Sequence, residues 1–517
     1  MSPNQLVMAG FESPFSKQLD SGNRWVVLAG RIPWDEISNL YLKHVGVSDM
    51  GRPGLSPRVA IGSLMIKHIC NLDDRETVQQ ISENMYMQYF LGYSTFTAQV
   101  PFDASLFVDL RKRIGAELLN SINARIVELH RQGAEGQADD QDHDEPGTGL
   151  SPVAEEEKAA ENNTTPANQA EPAPKGRVLF DATVCPQDIA YPTDLELLNE
   201  SREKTEALID VLYDQSLHAS KPRTYRVRAR RDYLKVARKR RRSKAEMRRA
   251  IGKQLNYVKR NLRTIDRLLD TYDRFPLDAR QQKYLLVVRT LYDQQREMHS
   301  KRVHSIADRI VSIHQPHVRP MVRGKAAVNT EFGAKIHLSM ADGYAFLDEV
   351  GWDAYNEGSH MREYIERYRR RFGHYPAEVL ADGIYCTREN RRMLKEKGIR
   401  LLAKPLGRPP AVKVKHVRPG ERNPVEGKFG QAKTAYGMDR IRARLKPTSE
   451  AWIACIVMVL NLVRLAGQAS LWLFFRMVKH LVTFSATSKL ALAPLINDTT
   501  LVAKTTDREW NRWKIAC

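Results

Sequence analysis

At 517 residues the chain is long enough for two to four domains and an ample core. Its formal net charge is +20, from 81 Lys and Arg against 61 Asp and Glu, which selects a polyanionic partner class without selecting a reaction. Five cysteines (Cys70, Cys185, Cys386, Cys455, Cys517) show no C-x-x-C and no paired spacing, which argues for a reducing compartment and against a thiolate zinc site.

In chain order, the opening MSPNQLVMAGFESPF lacks a basic start followed by a sustained apolar run, so no export is expected. PRVAIGSLMIKHICNL, TVQQISENMYMQYFLG and ASLFVDLRKRIGAELLNSINARIVELH each place apolar residues at three-to-four spacing, which predicts helices. Asp103 and Ser105 are N-cap candidates for the last of these. Arg111, Lys112 and Arg113 cluster there, so residues 1–131 read as a helical DNA-binding or dimerising domain. Residues 132–176 read as an acidic disordered linker: positions 135–174 carry eleven acids against one Lys and almost no large apolar residue. Without that stretch the remainder of the chain is near +30.

Next comes a strand candidate, RVLFD, and then a long helical insertion over 202–316. From Lys221 to Arg263 nineteen Lys or Arg stand against Asp232 and Glu246, and Arg238, Lys239, Arg240, Arg241 and Arg242 form the densest run. Such a density costs self-repulsion unless an anion is near, so the arm is expected to hold a DNA backbone without reading bases. Ile251, Leu255, Val258, Leu262, Ile265, Leu269 and Tyr272 then step by four and three in a heptad seam. Phe275-Pro276 breaks it, and a second helix is expected to run from Leu285 on through Ile313, giving an antiparallel hairpin whose seam closes on itself or on a second subunit. His314 and His317 read as loop.

KIHLSM and YAFLDEV form a strand pair turned at Ala341-Asp342-Gly343; EVLAD, the helix TRENRRMLKEKG and the strand IRLLAK follow. The tract AWIACIVMVLNLVRLAGQASLWLFF is interrupted by Asn461, Arg464 and Gln468, which favours a buried helix over a membrane span. Residues 467–517 read as a C-terminal tail.

Three of these stretches put an acidic residue where two-metal phosphodiester chemistry needs one. Asp181 closes RVLFD, Asp382 closes EVLAD, and Glu426 opens a helix in RNPVEGKFGQAK. Two divalent ions about 3.5–4 Å apart can activate an attacking oxygen and stabilise a leaving one, and carboxylates are their natural hard ligands.

Around these residues, DATVCPQDIAYPTDLELLNESREKTE, EFGAKIHLSMADGYAFLDEVGWDAYNEGSH and VLADGIYCTRENRRMLKEKGIRLLAKPLGRPP resemble, in order, segments of bacterial insertion-sequence transposases of the DDE superfamily, in the insertion-sequence-five-type branch. Residues 57–115 are similar to that branch's N-terminal domain. Relatives carry a Tyr-x2-Arg-x3-Glu-x6-Lys signature; here Arg422, Glu426 and Lys433 keep the spacing and Pro419 stands at the Tyr position.

The resemblance implies an α/β chain with a ribonuclease-H-like catalytic core over 177–201 and 317–466, split by the helical insertion. It implies a cytoplasmic, nucleoid-associated bacterial enzyme that cuts and joins double-stranded DNA at terminal inverted repeats and at a target, as a homodimer or larger assembly on DNA. Asp181, Asp382 and Glu426 are the implied catalytic residues and ligands of Mg²⁺, with Mn²⁺ as a substitute. Arg422 and Lys433, and Arg388 beyond Asp382, are the expected phosphate contacts. A DNA-binding repressor without activity and a metal-dependent nuclease of the same fold are the alternatives.

Overall fold

The computed structural model describes residues 19–46, 54–139, 172–322, 330–403 and 419–487. The acidic stretch expected as a linker lies mostly outside them.

Two helices not anticipated from the sequence open the described chain, α1 (Arg24–Arg31) and α2 (Trp34–Val45). Asn23 starts α1 by accepting the Trp25 N–H on its side chain at 2.9 Å. α3 (Pro57–Ile69) begins on a proline, whose missing N–H costs nothing at a helix start, and is buried nearly all round. The expected second helix is two, α4 (Asp74–Glu83) and α5 (Met85–Phe90), because Asn84 stands extended and its side chain caps α5. α6 (Leu106–Asp139) is broken at Gly115, whose φ of 65° and ψ of 174° only glycine adopts readily.

Arg111 proves to be interior and not part of a surface basic cluster. It is 4% exposed and forks onto Asp74 with two hydrogen bonds of 2.9 and 2.8 Å. Lys67 reaches the same carboxylate at 3.0 Å.

β1 (Arg177–Pro186) leads into the helical insertion: α7 (Asp194–Leu212), α8 (Arg226–Ala237), α9 (Lys244–Leu269) and α10 (Ala279–Lys301). The heptad seam lies on α9 and closes within the chain, on the following helix as expected of a hairpin and also on a third helix. Leu255, Val258, Leu262 and Ile265 share one apolar cluster with Leu198, Leu208 and Ile209 of α7 and with Val288 and Leu291 of α10. A third helix from the same chain takes the place expected for a partner. α10 stops at Lys301, where Arg302 turns left-handed at φ 58°, so the helix does not run on to Ile313. Ile310 and Ile313 reach the same cluster from irregular chain. His314 meets the Tyr284 hydroxyl at 2.9 Å, while His317 sits edge-on to Trp352, so the two share no ligand.

β2 (Pro320–Val322), β3 (Thr330–Ala341) and β4 (Tyr344–Gly351) follow. Asp342 and Gly343, at φ 52° and 80°, make the tight two-residue turn between β3 and β4. Then come α11 (Met361–Phe372), β5 (Glu378–Leu380), α12 (Arg388–Glu396), β6 (Arg400–Leu402), α13 (Asn423–Tyr436) and α14 (Lys446–Thr487). The sheet runs β2-β3-β1-β5-β6, with β4 also on β3. β1 and β3 are antiparallel, whereas β1, β5 and β6 are parallel. The result is a mixed α/β structure with a helical N-terminal region.

A single apolar core runs from Trp25, Leu64, Phe107 and Leu119 in the N-terminal helices, through Phe180 and Leu338 in the sheet, to Ile453 and Leu460 in α14. Lys446–Gly467 has the length and hydropathy to cross a membrane, but 72% of its most apolar window is buried inside the protein. Here that tract is the spine on which helices and sheet meet.

Candidate active site

β1 and β5 pair in parallel with Val178 beside Val379 and Leu179 beside Leu380, a constant offset of 201. Asp181 and Asp382 have the same offset, so the register sets the two aspartates side by side, Asp181 midway along β1 and Asp382 just past the end of β5. Adjacent strands lie about 4.8 Å apart, close enough for two carboxylates to share one cation. At Asp382 the chain has left β5 by its carboxyl end, where open α/β sheets place ligands, whereas β1 runs on past Asp181 to Pro186 against β3.

Each aspartate fixes one of its oxygens on the next backbone amide. Asp181 Oδ1 accepts from the Ala182 N–H at 2.8 Å, and Asp382 Oδ1 from the Gly383 N–H at 2.6 Å. Arg422 stands between them, with Nη2 at 3.2 Å from Asp181 Oδ2 and Nη1 at 3.5 Å from Asp382 Oδ1. The Arg422 Nε is buried without an acceptor among the described residues. Asp181 is largely buried and Asp382 exposed. Burial raises the Asp181 carboxyl above the usual aspartate range; the Ala182 amide and Arg422 oppose this, while Asp382 and Glu426 add to it.

Glu426 comes from α13, where Val425, Phe429, Ala432 and Tyr436 form the buried stripe. That stripe leaves Glu426 exposed in the first helical turn, where the helix dipole favours an anion. Its charge reaches Asp181, but no contact joins it to either aspartate among the described residues. Lys433 is half-buried on the same face two turns on, about 10 Å along the axis from Glu426. Arg388 is exposed at the first position of α12. Of the three expected phosphate contacts, Arg422 is the one paired with both aspartates.

Behind Asp181 lies a buried polar layer that the sequence did not reveal. Asp348 of β4, fully buried, meets His337 Nδ1 at 2.9 Å, Arg371 Nη1 at 2.7 Å and the Ser339 hydroxyl at 3.2 Å. Burial alone would raise the Asp348 carboxyl; Arg371 and His337 outweigh it and hold the group below its usual range. The His337 ring stacks on Tyr364 at 3.6 Å and meets the edge of Phe180, the residue before Asp181. An Asp inside the apolar run YAFLDEV was the available signal, since a charge at a strand's core position needs partners.

The basic arm becomes α8, a turn and the start of α9. Arg238, Lys239, Arg240, Arg241 and Arg242 are all exposed on that turn. Two of them also have local work: Arg242 donates to the carbonyls of Ala237 and Lys239 at 2.6 and 2.9 Å, closing α8, and Lys239 pairs with Glu246 at 2.5 Å.

Among the described residues no three His, Cys, Asp or Glu side chains are assembled closely enough to hold a metal ion by themselves. Two hard carboxylate donors, however, already converge on one cationic centre, and Glu426 is close enough for its charge to act on Asp181. That donor set fits an oxygen-seeking divalent cation, with the third ligand arriving from the helix start.

Residues 13–113 match a family described as a transposase domain, and residues 379–463 match the transposase DDE domain. An uncharacterized protein, ORF8 in the nfe locus of Rhizobium meliloti, is 33% identical over 175 residues, covering 33% of this chain and 66% of that protein's length. No solved structure matches the chain. The chain is thus similar to transposases over two regions, a transposase domain ahead of a transposase DDE domain that covers both Asp382 and Glu426.

Proposed function

We propose that the protein cuts DNA at the ends of its own element and joins the freed 3′-hydroxyl to target DNA, on a ribonuclease-H-like core. The observation that carries this reading is the convergence of Asp181 and Asp382, side by side on adjacent parallel strands, on the single guanidinium of Arg422. Asp181, Asp382 and Glu426 would hold Mg²⁺, or Mn²⁺ in its place, which when bound supplies Lewis acidity to the attacking and leaving oxygens.

The chain's own residues do the rest. The Ala182 and Gly383 amides pin one oxygen of each aspartate, so the carboxylates are preorganised. In cleavage, water attacks phosphorus and the 3′-oxygen leaves as a hydroxyl. In joining, that hydroxyl attacks a target phosphodiester and a new 3′-hydroxyl is released. Arg422 and Lys433 donate to phosphate oxygens, with Arg388 beside them. The arm around Arg238–Arg242 holds duplex backbone. We assign residues 1–131 to end binding or dimerisation, 132–176 to a tether, 177–201 with 317–466 to the catalytic core, 202–316 to the insertion and 467–517 to a tail. The active form is a homodimer or larger assembly on DNA.

The test is incubation with Mg²⁺, linear DNA bearing terminal repeats and a plasmid target. Joined products support the proposal; cuts without joining make the protein a nuclease, and mobility shifts alone make it a DNA-binding repressor.

A further inference from the structure

We propose that Arg422 is the resident counter-cation of the Asp181–Asp382 pair in the DNA-free protein, so that a divalent ion must displace it and the displaced guanidinium becomes available to a DNA phosphate. The proposal rests on the reading that these aspartates take a divalent ion. It goes beyond a phosphate-binding role for Arg422 by making one side chain compete with the ion it later works beside.

The geometry is that of a provisional partner. Arg111, held among the N-terminal helices, forks both Nη atoms onto one carboxylate, Asp74, at 2.9 and 2.8 Å. Arg422 instead spreads its two Nη atoms over two carboxylates, at the longer separations of 3.2 and 3.5 Å. Its Nε is buried and finds no acceptor among the described residues, as is also true of Arg111, so the contrast between the two lies in the Nη contacts and one donor of Arg422 stays free for another anion. A third anion nearby, such as a phosphate oxygen, would satisfy it.

Its backbone position suits exchange. Arg422 ends the short 3₁₀ turn Pro419–Arg422 and stands at the N-cap of α13 without a side-chain capping bond. The side chain can therefore leave the aspartates without unmaking a helix turn. Asp382 is 63% exposed, so the Arg422–Asp382 contact is open to solvent and to an incoming ion.

Charge arithmetic gives the device its direction. Asp181 and Asp382 side by side repel, and a single guanidinium leaves their pair at −1. A divalent ion neutralises the pair and then repels Arg422, which is pushed toward the next available anion. By linkage, DNA that takes up Arg422 tightens ion binding by the same factor that the ion tightens the Arg422–DNA contact. The protein alone then holds its ion weakly, and the assembled complex holds it firmly.

The experiment measures Mn²⁺ binding to the full-length DNA-free protein by the decrease of the free-ion electron paramagnetic resonance signal, so that no turnover is read. Arg422→Gln should bind Mn²⁺ about fivefold more tightly than wild type, the scale of a partly exposed ion pair removed as competitor. Arg422→Lys, with a single point charge and shorter reach, should fall between the two, and it decides the matter if the Gln variant does not fold. Unchanged or weaker Mn²⁺ binding in both, with Asp181→Asn losing binding, overturns the competition and leaves the metal-site reading standing. Wild-type affinity in Asp181→Asn and Asp382→Asn overturns the metal-site reading and this inference together.

Discussion

Asn461 gives Ala345 both hydrogen bonds that another strand would give it. Its Oδ1 accepts from the Ala345 N–H and its Nδ2 donates to the Ala345 carbonyl, each at 2.8 Å. Nδ2 also meets Asn123 Oδ1 at 2.8 Å, and Asn123 donates to the same carbonyl at 3.1 Å. One buried amide pair thereby fastens β4 to α6 and α14. Asn461→Leu keeps the volume and removes every bond, so it should destabilise the protein by roughly 1–3 kcal/mol for each group left unpaired. A chemical-denaturation midpoint at or above wild type would contradict this.

Asp74 is the sole carboxylate shared by Lys67 and Arg111. Both cations are interior and lie over the Trp452 ring of α14, at 4.8 and 5.5 Å from its centre. Asp74→Asn should cost about 3–5 kcal/mol, because it strands two buried charges. Burial works to raise this carboxyl, but Arg111 and Lys67 hold it below its usual range. Its stabilisation is therefore present above the ordinary aspartate range and is lost as pH falls through the lower folded value. Melting curves of variant and wild type should converge in acid.

At Asp181 the sign reverses. Its folded carboxyl is raised, chiefly by burial, so the ionised form is a burden on the fold at neutral pH. Asp181→Asn should melt at or above the wild-type temperature near pH 7.5. The gap should shrink as pH falls and the wild-type carboxyl protonates. A variant less stable at pH 7.5 would show that the Arg422 contact outweighs the burial.

Asp181→Asn, Asp382→Asn and Glu426→Gln should each abolish divalent-ion-dependent cleavage while leaving DNA affinity within a few-fold. The changes are near-isosteric and remove only ligand charge. Gel-based cleavage alongside binding isotherms checks this; a tenth of wild-type activity in any one removes that residue from the site.

On the arm, the internal bonds of Lys239 and Arg242 separate them from Arg238, Arg240 and Arg241. Replacing those three arginines with Gln should shrink the slope of log affinity against log salt by up to about 2.7, at 0.9 for each phosphate no longer neutralised. Specific and random duplexes should suffer alike, since backbone contacts carry no base information. An unchanged slope would mean that the turn is only solvated.

The three acidic positions stood out because each sits in a local pattern, an apolar run followed by Asp or a helix start with Pro424 and Glu426 in its first turn, although the strand expected to end at Asp181 runs on to Pro186. The strands, the β3–β4 turn and the long insertion helix were legible for the same reason. The place of Arg422 between two aspartates depends on the β1–β5 register, which no local window contains. Arg111 looked like surface because its partners Asp74 and Trp452 are remote in sequence. Asn461 read as an interruption of an apolar run until Ala345 and Asn123 supplied its partners. Helix ends set by a single residue, Gly115 or Arg302, also escaped periodicity.

The position of α14 at the centre of the core sets a timetable for synthesis. Helices α1, α3 and α6 pack against α14, whose Ile453, Leu460 and Leu465 the ribosome makes more than three hundred positions after α6. At ordinary elongation rates that leaves the N-terminal helices without their last partner for on the order of tens of seconds. Until α14 emerges, neither the helical region nor the sheet that carries Asp181 has its full interior. The two aspartates are therefore backed by a finished core only after the residues of α14 have been added.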